Sequence, residues 1–403
     1  MKKNFLKVAC AAMALAVGVT SAAACGSSGY TANNTEYYLG CSGPLSGGAA
    51  AYGEAVKNGA TLAVEEINNA GGIDGVKINF QMYDDAHDQT KVAAGYAGQL
   101  EAGMQMSLGC VTTKPCLQYK ALSKNDNVFF ITPSATADAV TEFDNAHQMC
   151  FSDSSQGSAA AKYVKTSGKV AEDVQVGVFY KNDDDYSKGI YTQFMSEMGN
   201  SFNGKDIVVQ SFDDDNATNF ATQVDKLKGC KFIFMPIYYQ PAALFIRTAM
   251  GKVAADTVYF GGDGLDGVDA ELGSDFTSPS LTQGIYYISH FDAKATEGKA
   301  KAFIDAYKKK YGSNPIQFAA SAYDCVYALY DAILFAKNTL KKDVPVTISA
   351  SDMYAVLKEV FANAEFSVDG VTGTGMKWKA DGTVDTSTKV VSDYEIKPVT
   401  ATA

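Results

Sequence analysis

"VFFITPSATAD", residues 128–138, decides the fold. Val128 to Ile131 form a short, unbroken apolar run, the signature of a strand buried on both faces of a parallel sheet. The run stops abruptly at Thr132, Pro133, Ser134, Ala135 and Thr136, all small and mostly hydroxyl-bearing. Thr-Pro-Ser starts a turn, and a Ser or Thr there caps a following helix. In an open α/β sheet the same strand end also faces the crevice where ligands bind. The neighbouring segments decide between a turn alone and a ligand crevice.

Working outward, strands and helices alternate. "EYYLGCSG" (36–43) reads as a strand, and "AAYGEAVKNGATLAVEEINNAG" (50–71) as a helix with apolar residues at three- and four-residue spacing, ended by Gly71-Gly72. "VKINFQMYDD" (76–85), a helix around Thr90 to Ala102, "QMSLGCV" (105–111) and "PCLQYKALSKN" (115–125) lead up to the opening strand. A second series runs from "SQGSAAAKYVKTSG" (155–168) through "VQVGVFY", "DIVVQSF", "KFIFMPIYY" and "TVYFGGDG" to "QGIYYISH" (283–290). Strict alternation predicts two doubly wound parallel sheets. A helix-rich return (297–311, 319–337 and 351–361) and a hairpin-like "GVTGTGMKWKADGTV" turning at Asp381-Gly382 complete the pattern.

The first residues carry a different signal. Lys2, Lys3 and Lys7 precede a short apolar run, Val8 to Val19, with the proportions of a signal peptide rather than a membrane span. "SAAACGSS" (21–28) then places small residues before Cys25 and a polar stretch after it, resembling a bacterial lipoprotein signal. The expectation is a signal peptide over 1–24, with Cys25 acylated on a flexible tether over 25–35. No second uninterrupted apolar segment approaches ~18 residues. About 370 residues remain, enough for two lobes.

Net charge is −11, with 20% charged residues, and the one basic block is Lys308 to Lys310, which argues against a nucleic-acid partner. Of eight cysteines, six fall in the body: Cys41, Cys110, Cys116, Cys150, Cys230 and Cys325. They form no Cys-x-x-Cys and join no histidine pair, so no metal is expected, and their pairing stays open. Catalytic patterns are thin. There are three histidines, His87, His147 and His290, and neither a nucleophile elbow nor a phosphate loop. "GDGLDG" (262–267) matches a dinucleotide fingerprint in its glycines, yet Asp263 would repel a pyrophosphate, and no cofactor is expected.

What accumulates is compact polar and aromatic residues at strand ends. Thr112, Thr113, Ser134 and Thr136 close two strands of the first series. Tyr186, Tyr238, Tyr239 and Asp263 close strands of the second. One such end is turn chemistry; five split between two lobes look like the lining of a cleft.

"GPLSGGAAAYGEAVKNGATLAVEEINNAGGIDG" (43–75), "ITPSATAD" (131–138), "FSDSSQGSAAAKYV" (151–164), "YYQPAALFIRTAM" (238–250) and "FGGDG" (260–264) resemble the branched-chain amino acid (Leu/Ile/Val) binding proteins of ABC importers. The resemblance runs from about residue 36 to 390. It implies the type I periplasmic-binding-protein fold, two Rossmann-like lobes joined by three crossovers. Lobe 1 would hold residues 36–154 and 286–388, and lobe 2 residues 155–285 and 389–397. It further implies an extracytoplasmic monomer that performs no chemistry. Such a protein captures an amino acid between its lobes and delivers it to a permease in the cytoplasmic membrane.

By position, Thr113, Ser134 and Thr136 match residues that hold the ligand carboxylate and part of its ammonium. Tyr186, Tyr238 and Asp263 match closing groups of the second lobe, and Tyr52 an aromatic of the pocket wall. Two departures stand out: Asp263 replaces a glutamate, and Thr112 replaces a disulfide cysteine. Relatives of this fold that take an amide, urea or an aromatic acid, or that serve as sensor subunits, are the alternatives. An unpaired buried acid at Asp263 argues against such ligands. Which amino acid is selected is not written in the sequence.

Overall fold

The computed structural model describes residues 34–168, 170–273, 275, 284–388 and 395–398. The expected signal peptide, Cys25 and nearly all of the tether lie outside the described residues.

The first sheet is fed by β1 (Tyr37–Gly43), α1 (Ala50–Asn69), β2 (Ile78–Asp84), α2 (Gln89–Glu101), β3 (Met106–Cys110), α3 (Thr113–Asp126), β4 (Phe130–Thr132) and β5 (Ala146–Gln148). The chain then enters a second layer through α4 (Asp153–Thr166), β6 (Val176–Lys181) and α5 (Asp185–Met198). A small hairpin of β7 (Ser201–Phe202) and β8 (Lys205–Asp206) leads into β9 (Val208–Phe212) and α6 (Ala221–Leu227). This layer continues with β10 (Phe232–Met235), α7 (Tyr239–Ala249), β11 (Val258–Gly261), α8 (Val268–Leu272) and β12 (Ile285–Ser289). The return comprises α9 (Gly298–Tyr311), α10 (Gln317–Asn338), α11 (Ala350–Phe361) and the edge strand β13 (Glu395–Pro398).

The first sheet has the order β2-β1-β3-β4-β5, with every pair parallel. The second has β13-β12-β11-β10-β6-β9, parallel throughout except for the antiparallel edge strand β13. Leaving β13 aside, both sheets follow one rule: the second strand lies outside the first, and the third, fourth and fifth follow on its other side. The direction of winding therefore reverses between β1 and β3, and again between β6 and β10. At such switch points adjacent loops diverge and open a crevice beyond the strand ends. The sequence-based expectation of two doubly wound lobes describes this architecture.

The lobe boundary differs in detail. β12 pairs with β11 from Tyr259↔Ile285 to Gly261↔Tyr287, so a division at 285/286 cuts a strand of the second sheet. The return to the first layer comes after Ser289. The loop around Gly382 bonds to Gln148 of β5, while β13 pairs with β12.

α1 buries Tyr52, Val56, Ala60, Ala63 and Ile67 on one stripe and lies along α10. The helices touch closely at Gly59, where an added Cβ would stand 2.0 Å from the Ala319 carbonyl oxygen. α10 is long and apolar enough by composition to cross a bilayer, yet 67% of its most apolar window is buried inside the fold. It reads as a core helix. Cys41, Cys110, Cys116 and Cys230 are buried free thiols, and Cys150 and Cys325 are buried as well.

Candidate ligand site between the lobes

Both switch points present their strand ends to the same interlobe cleft. In the first lobe, β4 ends at Thr132, whose hydroxyl donates to the Cys110 carbonyl at 2.8 Å and accepts from the Ala135 amide at 3.0 Å. This knot holds the loop after β4 against the end of β3. Ser134 Oγ donates to the Val111 carbonyl at 2.7 Å, and Thr113 Oγ1 accepts from the Thr136 amide at 3.3 Å. Thr136 Oγ1 is buried without a partner. The turn after β3 delivers the N-terminus of α3, whose first-turn amides at Thr113 and Lys114 have no acceptor within a helix.

In the second lobe, Asp184 caps α5 by accepting from the Ser187 amide at 3.0 Å, which sets Tyr186 in the first turn. The Tyr186 hydroxyl donates to Asp263 Oδ1 at 2.9 Å and accepts from the Gly264 amide at 2.8 Å. The Asp263 amide donates to Gln156 Oε1 of α4 at 2.9 Å. Tyr186 and Tyr238 stack with ring centroids 4.8 Å apart. Burial pushes the Asp263 carboxyl up to about 7, offset in part by Tyr186 and Gln156. The phenols of Tyr52, Tyr186 and Tyr238 are likewise held well above their ordinary range, so each keeps its proton for donation.

Tyr52 joins the two halves. It sits on α1 of the first lobe, yet its hydroxyl donates to the Gly264 carbonyl at 2.5 Å and accepts from the Tyr239 amide at 3.1 Å, both in the second. Its ring meets Tyr238 and Phe318 edge-on, at 5.7 and 4.8 Å.

Of the seven expected ligand residues, Tyr52, Ser134, Tyr186, Tyr238 and Asp263 line one cavity. Thr113 and Thr136 stand behind that surface, bonded to each other. Thr112, Val111, Gly264 and Phe318 complete the wall, which among the described residues contains no lysine or arginine. The space enclosed is small, about 10 Å³, room for the centre of roughly one water. In this arrangement of the lobes the cavity has no room for a larger solute. Beyond Tyr238 the cleft widens into a hollow of about 540 Å³ flanked by His87 of the first lobe and by Lys181, Asp184 and Asp214 of the second. His87 shares a 2.9 Å hydrogen bond with Thr112 and meets Tyr238 edge-on at 5.5 Å. Larger hollows of about 720 and 600 Å³ lie elsewhere, one beneath the N-terminal strand ends of the second sheet and one beside β5.

Sequence reasoning did not place Gln156, Phe318 or His87 at this site. Gln156 lies in the quoted "FSDSSQG" stretch and carries a local signal, one turn beyond the α4 cap. Phe318 belongs to α10, far along the chain, and only tertiary folding brings it to the cavity.

A family model described as periplasmic binding protein matches residues 36–391. The chain belongs to that family. Among curated relatives it is 31% identical over 254 residues to the Leu/Ile/Val-binding protein BraC3 of Rhizobium johnstonii, spanning 60% of this chain and 67% of that protein. It is 25% identical over 349 residues to the leucine-, isoleucine-, valine-, threonine-, and alanine-binding protein of Pseudomonas aeruginosa, spanning 85% of this chain and 89% of that one. Among solved structures, LivJ of Streptococcus pneumoniae in complex with isoleucine matches with a TM-score of 0.69 at 30% identity, over 86% of this chain and 93% of that chain. A Rhodopseudomonas palustris solute binding protein in complex with benzoate matches with a TM-score of 0.69 at 19% identity, over 87% of this chain and 91% of that chain, a likeness of fold alone. The cleft of this periplasmic binding protein thus sits at the paired switch points that its strand order creates.

Proposed function

We propose that this chain is the solute receptor of an ABC importer and captures an amino acid, branched-chain or similar, between its lobes. Asp263 carries the reading. It is buried in a cavity without a basic side chain, so the complement it calls for is a cation brought by the solute. Across the cleft, the N-terminus of α3 and the hydroxyls of Thr113, Ser134 and Thr136 suit an anion. A zwitterionic amino acid has both ends. Its carboxylate takes the α3 amides and hydroxyls; its ammonium takes Asp263, with Thr136 serving either end because a hydroxyl both donates and accepts. Val111, Phe318 and the rings of Tyr52 and Tyr238 remain for an apolar side chain.

Function follows from hinge closure. The two lobes part to admit the solute and close over it, and a permease in the cytoplasmic membrane reads the closed form. The chain works as a monomer, performs no reaction, and is tethered outside the cytoplasmic membrane through acylated Cys25 after removal of residues 1–24. The test is to purify the protein without unfolding it, release bound small molecules with denaturant and identify them by mass spectrometry. A near-stoichiometric amino acid supports the reading. An amide, urea or aromatic acid in its place overturns it.

A further inference from the structure

Asp153 is the first residue of α4, where the chain enters the second lobe, and it is 1% exposed. Its amide donates to the Thr136 carbonyl at 2.8 Å, which fixes it beside the end of β4. Gln156 lies three residues further on, so the two side chains share a helix face. The Thr136 hydroxyl and the Asp263 carboxyl both act on the Asp153 carboxyl, which places it near the two, just behind the residues that line the cavity. α5 leaves it space: a Cβ added at Gly189 would stand 2.3 Å from an Asp153 carboxyl oxygen.

Neither Asp153 carboxyl oxygen, nor the Thr136 hydroxyl, has a hydrogen-bond partner of ordinary geometry, and all three atoms are buried. Burying such atoms with nothing to satisfy them is costly. The charged groups acting on Asp153 are Asp263 after β11, Asp138 after β4 and Asp184 at the cap of α5, all acidic. Burial drives its carboxyl well above the ordinary range, and the nearby Thr136 hydroxyl offsets part of that rise. Among the described residues, the charged groups named as acting on this acid include no cation.

We propose that Asp153 is a second anionic acceptor for the cationic end of the ligand, so that the ammonium of a bound amino acid lies between the carboxylates of Asp153 and Asp263. The Thr136 hydroxyl takes its third N–H, matching the three donors of an ammonium. The inference rests on the amino-acid reading above.

The refolded parent protein is first titrated calorimetrically with the twenty L-amino acids, and the best binder is paired with its deaminated acid (for leucine, 4-methylpentanoate). Asp153→Asn, checked for cooperative thermal unfolding, is then titrated with both. The expected result is an amino-acid affinity lower by at least about tenfold, with the affinity of the deaminated acid unchanged or improved. Equal amino-acid affinity in parent and variant overturns the role of Asp153 and leaves the amino-acid reading standing. A parent that binds none of the twenty overturns both. Should Asp153→Asn not fold, Asp153→Glu, which keeps the charge but moves it by one methylene, is titrated with the same two ligands. A loss of affinity for the amino acid alone supports the second acid, and an unchanged affinity or an equal loss for both ligands overturns it.

Discussion

Replacing Asp263 by asparagine removes one charge from the cleft while keeping the shape of the side chain. In the ligand-free protein burial pushes the Asp263 carboxyl up to about 7, against 3.8 for an ordinary aspartate. The folded state therefore binds more protons than the unfolded state between those values. Stability falls as pH rises through that window, in total by on the order of 4 kcal/mol. Asp263→Asn escapes this loss, so the ligand-free variant should melt higher than the parent at pH 8 and close to it at pH 4. Ligand binding carries the opposite sign, because the ammonium selects the ionised acid. From Asp263 alone, parent affinity should fall by up to about tenfold per pH unit below 7, about a hundredfold by pH 5. At pH 8 the variant should bind about thirty- to several-thousand-fold more weakly, the cost of removing one partner of a buried charge pair. That gap should narrow by up to about a hundredfold, or vanish, at pH 5, where the parent has itself lost its charge. Calorimetric titration and thermal melts at both pH values read these effects. A parent affinity flat between pH 5 and 8, or a variant defect equal at both, would refute the reasoning.

Three further predictions concern other parts of the molecule. Tyr52→Phe keeps the ring but leaves the Gly264 carbonyl and Tyr239 amide without their interlobe partner, a cost of about 1–3 kcal/mol to the closed form. Stopped-flow release should quicken about five- to a hundredfold while capture changes little; an unaltered release rate would show that the hydroxyl does not hold the lobes. Thr136→Ala removes a hydroxyl whose one neighbouring acceptor among the described residues, the Asp153 carboxyl, lies outside ordinary hydrogen-bond geometry, so the ligand-free melting temperature should drop little, while ligand affinity falls at least about tenfold. Unchanged affinity would leave Thr136 a loop residue. Cys25→Ala should move the protein from the membrane fraction to the soluble one, and a protein that stays membrane-bound would contradict lipidation.

The two-sheet architecture was legible because parallel strands, covered on both faces, must be apolar runs, and "VFFI" or "KFIFM" allows little else. Boundaries were less so. "QGIYYISH" reads as one strand, but nothing local says whether its end belongs to the second sheet, and backbone pairing keeps Ile285–Ser289 there. The site was legible as strand ends but not as orientations. Thr112 and Thr113 are adjacent, and the turn into α3 puts one on the cavity wall and spends the other on the Thr136 amide. Tyr52 was expected as a wall, and its ring is one. That its hydroxyl bridges to Gly264 depends on how the lobes meet, which no segment of sequence encodes alone. Asp153 sat within a quoted motif, yet its burial with both oxygens unpartnered shows only when α4, α5 and the end of β4 are assembled.

The central claim is that the cleft selects a zwitterion. The most direct measurement titrates refolded, ligand-free protein at pH 8 with L-leucine and with 4-methylpentanoate, which share a carboxylate and side chain and differ only in the ammonium. The account predicts that leucine binds more tightly by at least about thirtyfold, the lower bound for pairing a buried acid. Equal affinities, or a preference for the deaminated acid, would contradict it.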